Sequence, residues 1–140
     1  MAAKVLGCNQ LADAYYPILA SNVRGGGTHT LRFARGELPP AGAFWSLTLY
    51  DSNGHPVPNG IDRAAISSWM DLSYESDGAL QIVLAPSEPK NKGERNNWLP
   101  TPADREWNLV MRLYVPSEGA LQQGGWVPPL LRQKKRFFFF

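Results

Sequence analysis

Two stretches of this chain alternate between apolar and polar residues. In Phe44 to Tyr50, Trp45, Leu47 and Leu49 fall on one side, and Ser46, Thr48 and Tyr50 on the other. In Trp107 to Val115, Leu109, Met111, Leu113 and Val115 share one side, and Asn108, Val110, Arg112 and Tyr114 share the opposite one. Successive side chains of an extended strand point to opposite faces, so this period of two predicts strands. Both sides carry bulky residues, which suits a sheet buried on one face and partly covered on the other.

Thr28 to Phe33 has the same grammar, with Leu31 and Phe33 opposed to Thr30 and Arg32. Leu72 to Tyr74 and Ala79 to Leu84, joined through Asp77-Gly78, predict a hairpin. Asp51-Ser52-Asn53-Gly54 predicts a tight turn, because Asn-Gly supplies the positive backbone angles that a reversal needs. Ile61 to Trp69 fits a helical turn or a strand equally well. Asn22 to Gly27, Pro86 to Asn97 and Ser117 to Gly125 read as loops and turns. Near the start, Leu11, Ala12, Tyr15, Tyr16 and Leu19 recur at three- and four-residue spacing, which predicts a short N-terminal helix. Pro17 ends it near Tyr16, because the residue before a proline is driven out of helical conformation.

Short strands separated by glycine and proline turns predict an all-β, mainly antiparallel fold, a sandwich or a barrel. A parallel α/β fold is disfavoured, since no helix of adequate crossover length lies between strands. The expected division is an N-terminal segment with the short helix (1–20), a single β-sandwich domain (21–131), and a basic, phenylalanine-rich tail (132–140) without order. At 140 residues one core is enough, and no disulfide or metal staple is required.

The formal charge of +2 is unevenly placed. Arg132, Lys134, Lys135 and Arg136 crowd the C-terminus, which leaves the body near neutral and a poor match for nucleic acid, whose phosphates call for a basic face. Cys8 is the single cysteine, so no internal disulfide forms. Val5-Leu6-Gly7-Cys8 has the form of a lipoprotein box, but the seven residues before the cysteine are too few for a signal peptide. No stretch approaches the roughly 20 apolar residues of a membrane helix. The expectation is a soluble chain, cytoplasmic by default, with membrane association through the Phe137 to Phe140 tail disfavoured.

Six motifs occur in order: Gly36-Glu37-Leu38-Pro39-Pro40, Ala43 to Asp51, Asp77-Gly78, Asn97-Trp98-Leu99-Pro100-Thr101-Pro102, Met111 to Pro116, and Trp126-Val127-Pro128-Pro129. None is diagnostic alone, but in register across residues 15 to 131 they resemble the bacterial "domain of unknown function 1214" family. That resemblance implies a β-sandwich of jelly-roll character, usually the C-terminal half of a longer protein whose companion is a "domain of unknown function 1254" module. The family offers no established catalytic residues to carry over. This chain departs from the pattern in a shorter stretch between Tyr16 and Thr30, in His29 where a tyrosine is usual, and in Ala64 where an aromatic is expected.

The most suggestive chemistry is an aromatic and arginine group. Trp45, Tyr50, Trp98, Trp107, Tyr114 and Trp126 accompany Arg63, Asn97 and Arg112. Rings make rigid apolar walls and a guanidinium can clamp a carboxylate, so a cleft lined by Arg63, Asn97, Trp98 and Arg112 would suit a small carboxylate or a sugar. The plainer expectation, and the favoured one, is that the rings fill the core and the arginines pair with Asp51, Asp62 or Asp77. His29 and His55 lie on different elements and Cys8 is far upstream, which disfavours a metal site. No Gly-x-Ser-x-Gly elbow occurs, and Gly25-Gly26-Gly27 precedes a strand instead of a phosphate-cradling helix. The sequence therefore predicts no catalytic residues and no cofactor. It favours a non-catalytic β-sandwich module that packs against a partner domain or a second copy of itself, over an enzyme or binding protein for a small carboxylate or sugar.

Overall fold

The computed structural model describes residues 14–116 and 126–134. The elements in chain order are β1 (Ala14–Tyr15), β2 (Ile18–Val23), β3 (His29–Phe33), β4 (Ala41–Tyr50), β5 (Ala65–Ser67), β6 (Leu80–Ala85), α1 (Lys92–Asn96), β7 (Trp98–Pro100), β8 (Trp107–Pro116) and β9 (Arg132–Gln133). They build two mainly antiparallel sheets.

In the first sheet, β4 and β8 pair from Phe44–Tyr114 through Tyr50–Asn108. β5 lies along the outer edge of β4. β1 and β2 share the far edge of β8, as one strand interrupted at Tyr16-Pro17. Pro17 has no N–H for the ladder, but its carbonyl still accepts from the Met111 N–H at 3.0 Å. The second sheet runs β7-β6-β3-β9.

The core is where the two period-two patterns meet. Trp45, Leu47 and Leu49 of β4 and Trp107, Leu109, Met111 and Leu113 of β8 face Leu31 and Phe33 of β3 and Leu80, Ile82 and Leu84 of β6, all buried in one cluster. Phe33 and Trp45 meet across the interior with ring centres 5.9 Å apart. The second sheet buries a smaller group, Val83, Ala85 and Trp98, on its other side.

Several expectations change. The described part of the expected N-terminal helix is strand: Ala14 pairs with Tyr114 and Tyr15 with Leu113. The spacing that mimics a helix arises because Pro17 and two register shifts let Tyr15, Leu19, Ala20 and Val23 all reach the core. The positions before Ala14 lie outside the described residues. The first arm of the expected hairpin shrinks to a single bridge between Tyr74 and Leu80; β6 takes β3 and β7 as its partners instead. The β6–β7 pair is parallel, with Val83, Leu84 and Ala85 beside Trp98, Leu99 and Pro100. The Pro86–Asn97 segment is the crossover that makes this possible, and it holds the one-turn helix α1. At the other end, Arg132 and Gln133 of the expected tail pair with Thr30 and His29, while residues 135–140 lie outside the described set. Ile61 to Trp69 resolves to the short strand β5.

The Asp51 to Gly54 turn forms as expected. The Asp51 carboxylate accepts from the N–H groups of Asn53 and His55, both at 2.9 Å, and Gly54 takes φ of 83°. Those bonds favour the charged form and hold the Asp51 carboxyl below its ordinary pKa.

Candidate functional site

The outward side of the β4–β8 sheet is built by the polar halves of the two best strands. Because Leu109, Met111 and Leu113 turn inward, Val110, Arg112 and Tyr114 turn outward, and Ser46 and Thr48 of β4 lie beside them in register. Arg112 donates from Nη1 to Thr48 Oγ1 at 3.3 Å and from Nη2 to the Tyr50 hydroxyl. Its guanidinium carbon sits 5.6 Å from the Tyr16 ring centre and 5.4 Å from that of Tyr50, within cation–π range of both. Phe44 stacks on Tyr114 at 4.4 Å, and Tyr16 meets Tyr114 edge-on at 6.3 Å.

A bulge sets up that stack. Ala41 pairs with Pro116 and Phe44 with Tyr114, so Gly42 and Ala43 oppose Val115 alone. Val115 takes φ of 54°, costly for a β-branched residue. A Cβ on Gly42 would stand 2.9 Å from the Val115 carbonyl oxygen, which explains the glycine. Burial of the Tyr114 hydroxyl raises its pKa; Tyr16 and Tyr50 add to the rise, and the Arg112 charge opposes it.

Arg112 makes no ion pair among the described residues, and neither does Arg63. The expected arginine–aspartate pairing belongs instead to Arg32, which reaches Glu75 at 3.1 Å and Asp77 at 3.2 Å on the surface. Beside the aromatic cluster, Ile18 is 66% exposed on the strand that pairs with Val110.

The other three expected site residues lie elsewhere and serve the fold. Arg63 Nη1 donates to the carbonyls of Asn96 (3.2 Å) and Trp98 (2.9 Å), closing the end of α1 with a positive charge where such charge is favourable. Asn97 is buried; it accepts from the Ser73 N–H at 2.8 Å and donates to the Ser73 and Gln81 carbonyls at 2.7 and 2.9 Å. Trp98 packs on Val83 and Ala85, and its indole N–H reaches the Ala85 carbonyl at 2.8 Å. Arg63, Asn97 and Trp98 border three different hollows. Trp98 faces outward from the second sheet and Arg112 outward from the first, on opposite sides of the sandwich. Arg112 thus sits in a tyrosine platform on one sheet, apart from Arg63, Asn97 and Trp98. Of the six rings, Trp45 and Trp107 fill the main core, as the plainer expectation has it.

A groove of about 720 Å³, not anticipated from the sequence, crosses the outward side of the second sheet. Thr30, Gln81 and Val83 form its floor, and Lys90, Arg132 and Lys134 stand on its walls. Its cations come from elements far apart in the chain, so only the pairing of β9 with β3 reveals that they face one hollow. Among the described residues, three buried polar atoms have no partner: His29 Nδ1, Thr101 Oγ1 and Trp107 Nε1. The His29 and Trp107 rings meet edge-on at 5.5 Å, and burial holds the His29 pKa below its ordinary value while a hydrogen bond with the Gly27 backbone opposes the shift. Among the described residues, no three His, Cys, Asp or Glu side chains gather as a metal set, and no helix is long and apolar enough to cross a membrane.

The solved structure of the VPA0106 protein from Vibrio parahaemolyticus matches 89% of this chain and 31% of its own length, with 23% identity and a TM-score of 0.73. That likeness shows a shared fold. An uncharacterised protein from Burkholderia cenocepacia matches at 18% identity and a TM-score of 0.48, over 87% of this chain and 29% of that one. The chain thus spans less than a third of the length of either relative. No curated protein matches it. The sequence profile of the family described as "Protein of unknown function (DUF1214)" matches residues 19–118, most of the sandwich, and the chain belongs to that family.

Proposed function

We propose that this chain is a non-catalytic β-sandwich module, of jelly-roll character, that docks against a partner domain through the outward side of its β4–β8 sheet. The observation that carries this reading is the half-buried cluster of Tyr16, Phe44, Val110 and Tyr114 around Arg112, with Ile18 exposed beside it. Clustered rings beside an arginine are the composition of interface centres, and a partner would bury them. The occupant favoured is a separate domain, because the Vibrio parahaemolyticus relative devotes more than two thirds of its length to other sequence.

Size-exclusion chromatography with light scattering tests this, on the chain alone and mixed with the remaining part of that relative made as a separate polypeptide. A complex that disappears in a Phe44→Asp/Tyr114→Asp variant supports the reading. Self-association lost in the same variant makes a second copy the occupant. A monomer that is inert in both settings counts against docking.

The second reading is a binding protein for a small carboxylate or sugar, and what favours it is the groove beside Lys90, Arg132 and Lys134. Thermal-shift screening of carboxylates and monosaccharides, repeated with Arg132→Gln, separates it from the first.

A further inference from the structure

We infer that the partner surface which covers the β4–β8 sheet brings a carboxylate to Arg112, set within an apolar or aromatic surround. This rests on the docking reading above and names the chemistry of the partner. Arg112 is half-buried, and its guanidinium is a planar cationic fork. Among the described residues its hydrogen bonds go to two neutral oxygens, Thr48 Oγ1 and the Tyr50 hydroxyl. A guanidinium has five N–H donors, so these two bonds leave donor capacity for an incoming group.

The surroundings hold the fork in place. Tyr16 and Tyr50 lie within cation–π range of the guanidinium, and the Thr48 and Tyr50 oxygens fix its orientation within the sheet. A pre-oriented arginine loses little freedom when it binds, which favours recognition of a planar, two-oxygen group. Covering the platform strips water from the charge, and an uncompensated buried guanidinium opposes docking strongly. A carboxylate on the partner removes that cost through two parallel charge-assisted bonds. An apolar partner without one would be rejected, so Arg112 acts as the specificity element of an otherwise greasy face.

The probes are two blocked tripeptides, acetyl-Phe-Asp-Phe-amide and acetyl-Phe-Asn-Phe-amide, titrated into the intact chain and followed through NMR signals of Thr48, Phe44 and the tyrosine rings. The aspartate peptide should bind at least about tenfold more tightly than its neutral isostere, in line with charge-assisted hydrogen bonds. Arg112→Gln should erase the preference, and Arg112→Lys should restore only part of it, because a lysine lacks the fork. Equal binding of both peptides overturns the carboxylate inference while leaving the docking face intact. If neither peptide moves these signals, the carboxylate inference is likewise overturned; a monomer that is also inert in light scattering removes the docking reading with it.

Discussion

Replacing Asn97 with alanine isolates a structural role from a ligand-binding one. Its buried carboxamide makes three hydrogen bonds: one accepted from the Ser73 N–H and two donated, to the Ser73 and Gln81 carbonyls. Together they tie the 72–74 segment to β6 at the point where the parallel crossover returns. Alanine removes all three bonds and leaves an N–H and two carbonyls facing a void. Each buried group left unpaired costs about 1–3 kcal/mol. Ser73 and Gln81 are only half-buried, so water reaches part of the vacancy and the sum falls short of the maximum. The expected loss is about 3–4 kcal/mol, a large share of the roughly 5–15 kcal/mol that holds a domain together. Urea unfolding followed by tryptophan fluorescence measures it. Asn97→Asp should be worse at neutral pH, because a carboxylate would face the same two carbonyl oxygens. A loss below about 1 kcal/mol for the alanine variant would refute the assignment, since an exposed ligand contact contributes that little.

Three further outcomes follow from the same geometry. His29 has a folded pKa below its ordinary 6.5, so the unfolded chain takes up the proton first; stability is full above that value, falls as pH drops towards the folded pKa, and His29→Leu should flatten that part of the melting-temperature profile. Gly25→Ala places a Cβ 2.6 Å from the Pro102 carbonyl oxygen and 2.7 Å from that of Arg105, and should cost at least about 2 kcal/mol in thermal or urea unfolding. Gly60→Ala, with nothing within 4 Å, is the neutral control. Trp98→Phe should cost only about 1 kcal/mol, because the Ala85 carbonyl keeps its bond from the Thr101 N–H at 3.0 Å, whereas Trp98→Ala should cost about 3–5 kcal/mol by opening a cavity.

The central strands were legible because each alternates against a single buried face. Trp45, Leu47 and Leu49, and likewise Leu109, Met111 and Leu113, can meet one core only as extended chain. The edges were less legible. Pro17 and the register shifts of β2 erase its period, and what remains copies helical spacing. The helix α1 was missed although its start is written in the letters: Asn91 precedes Lys92-Gly93-Glu94, and the Asn91 side chain accepts from the Glu94 N–H at 3.1 Å. Asparagine three residues ahead of glutamate is a capping pattern. The candidate site was legible as a composition and not as a place. Arg112 and Tyr50 lie 62 positions apart and meet only through the β4–β8 register. Arg63 is drawn to the end of α1, a helix too short to show a hydrophobic period.

The borders of the two sheets carry a last consequence. β5 and β7 have three residues each, β9 has two, and the β1–β2 lane is cut by a proline. None offers the long, flat row of open amide and carbonyl groups on which a foreign strand could template itself. Among the described residues, ladder-type growth into fibrils would therefore find only short lanes to extend along these margins.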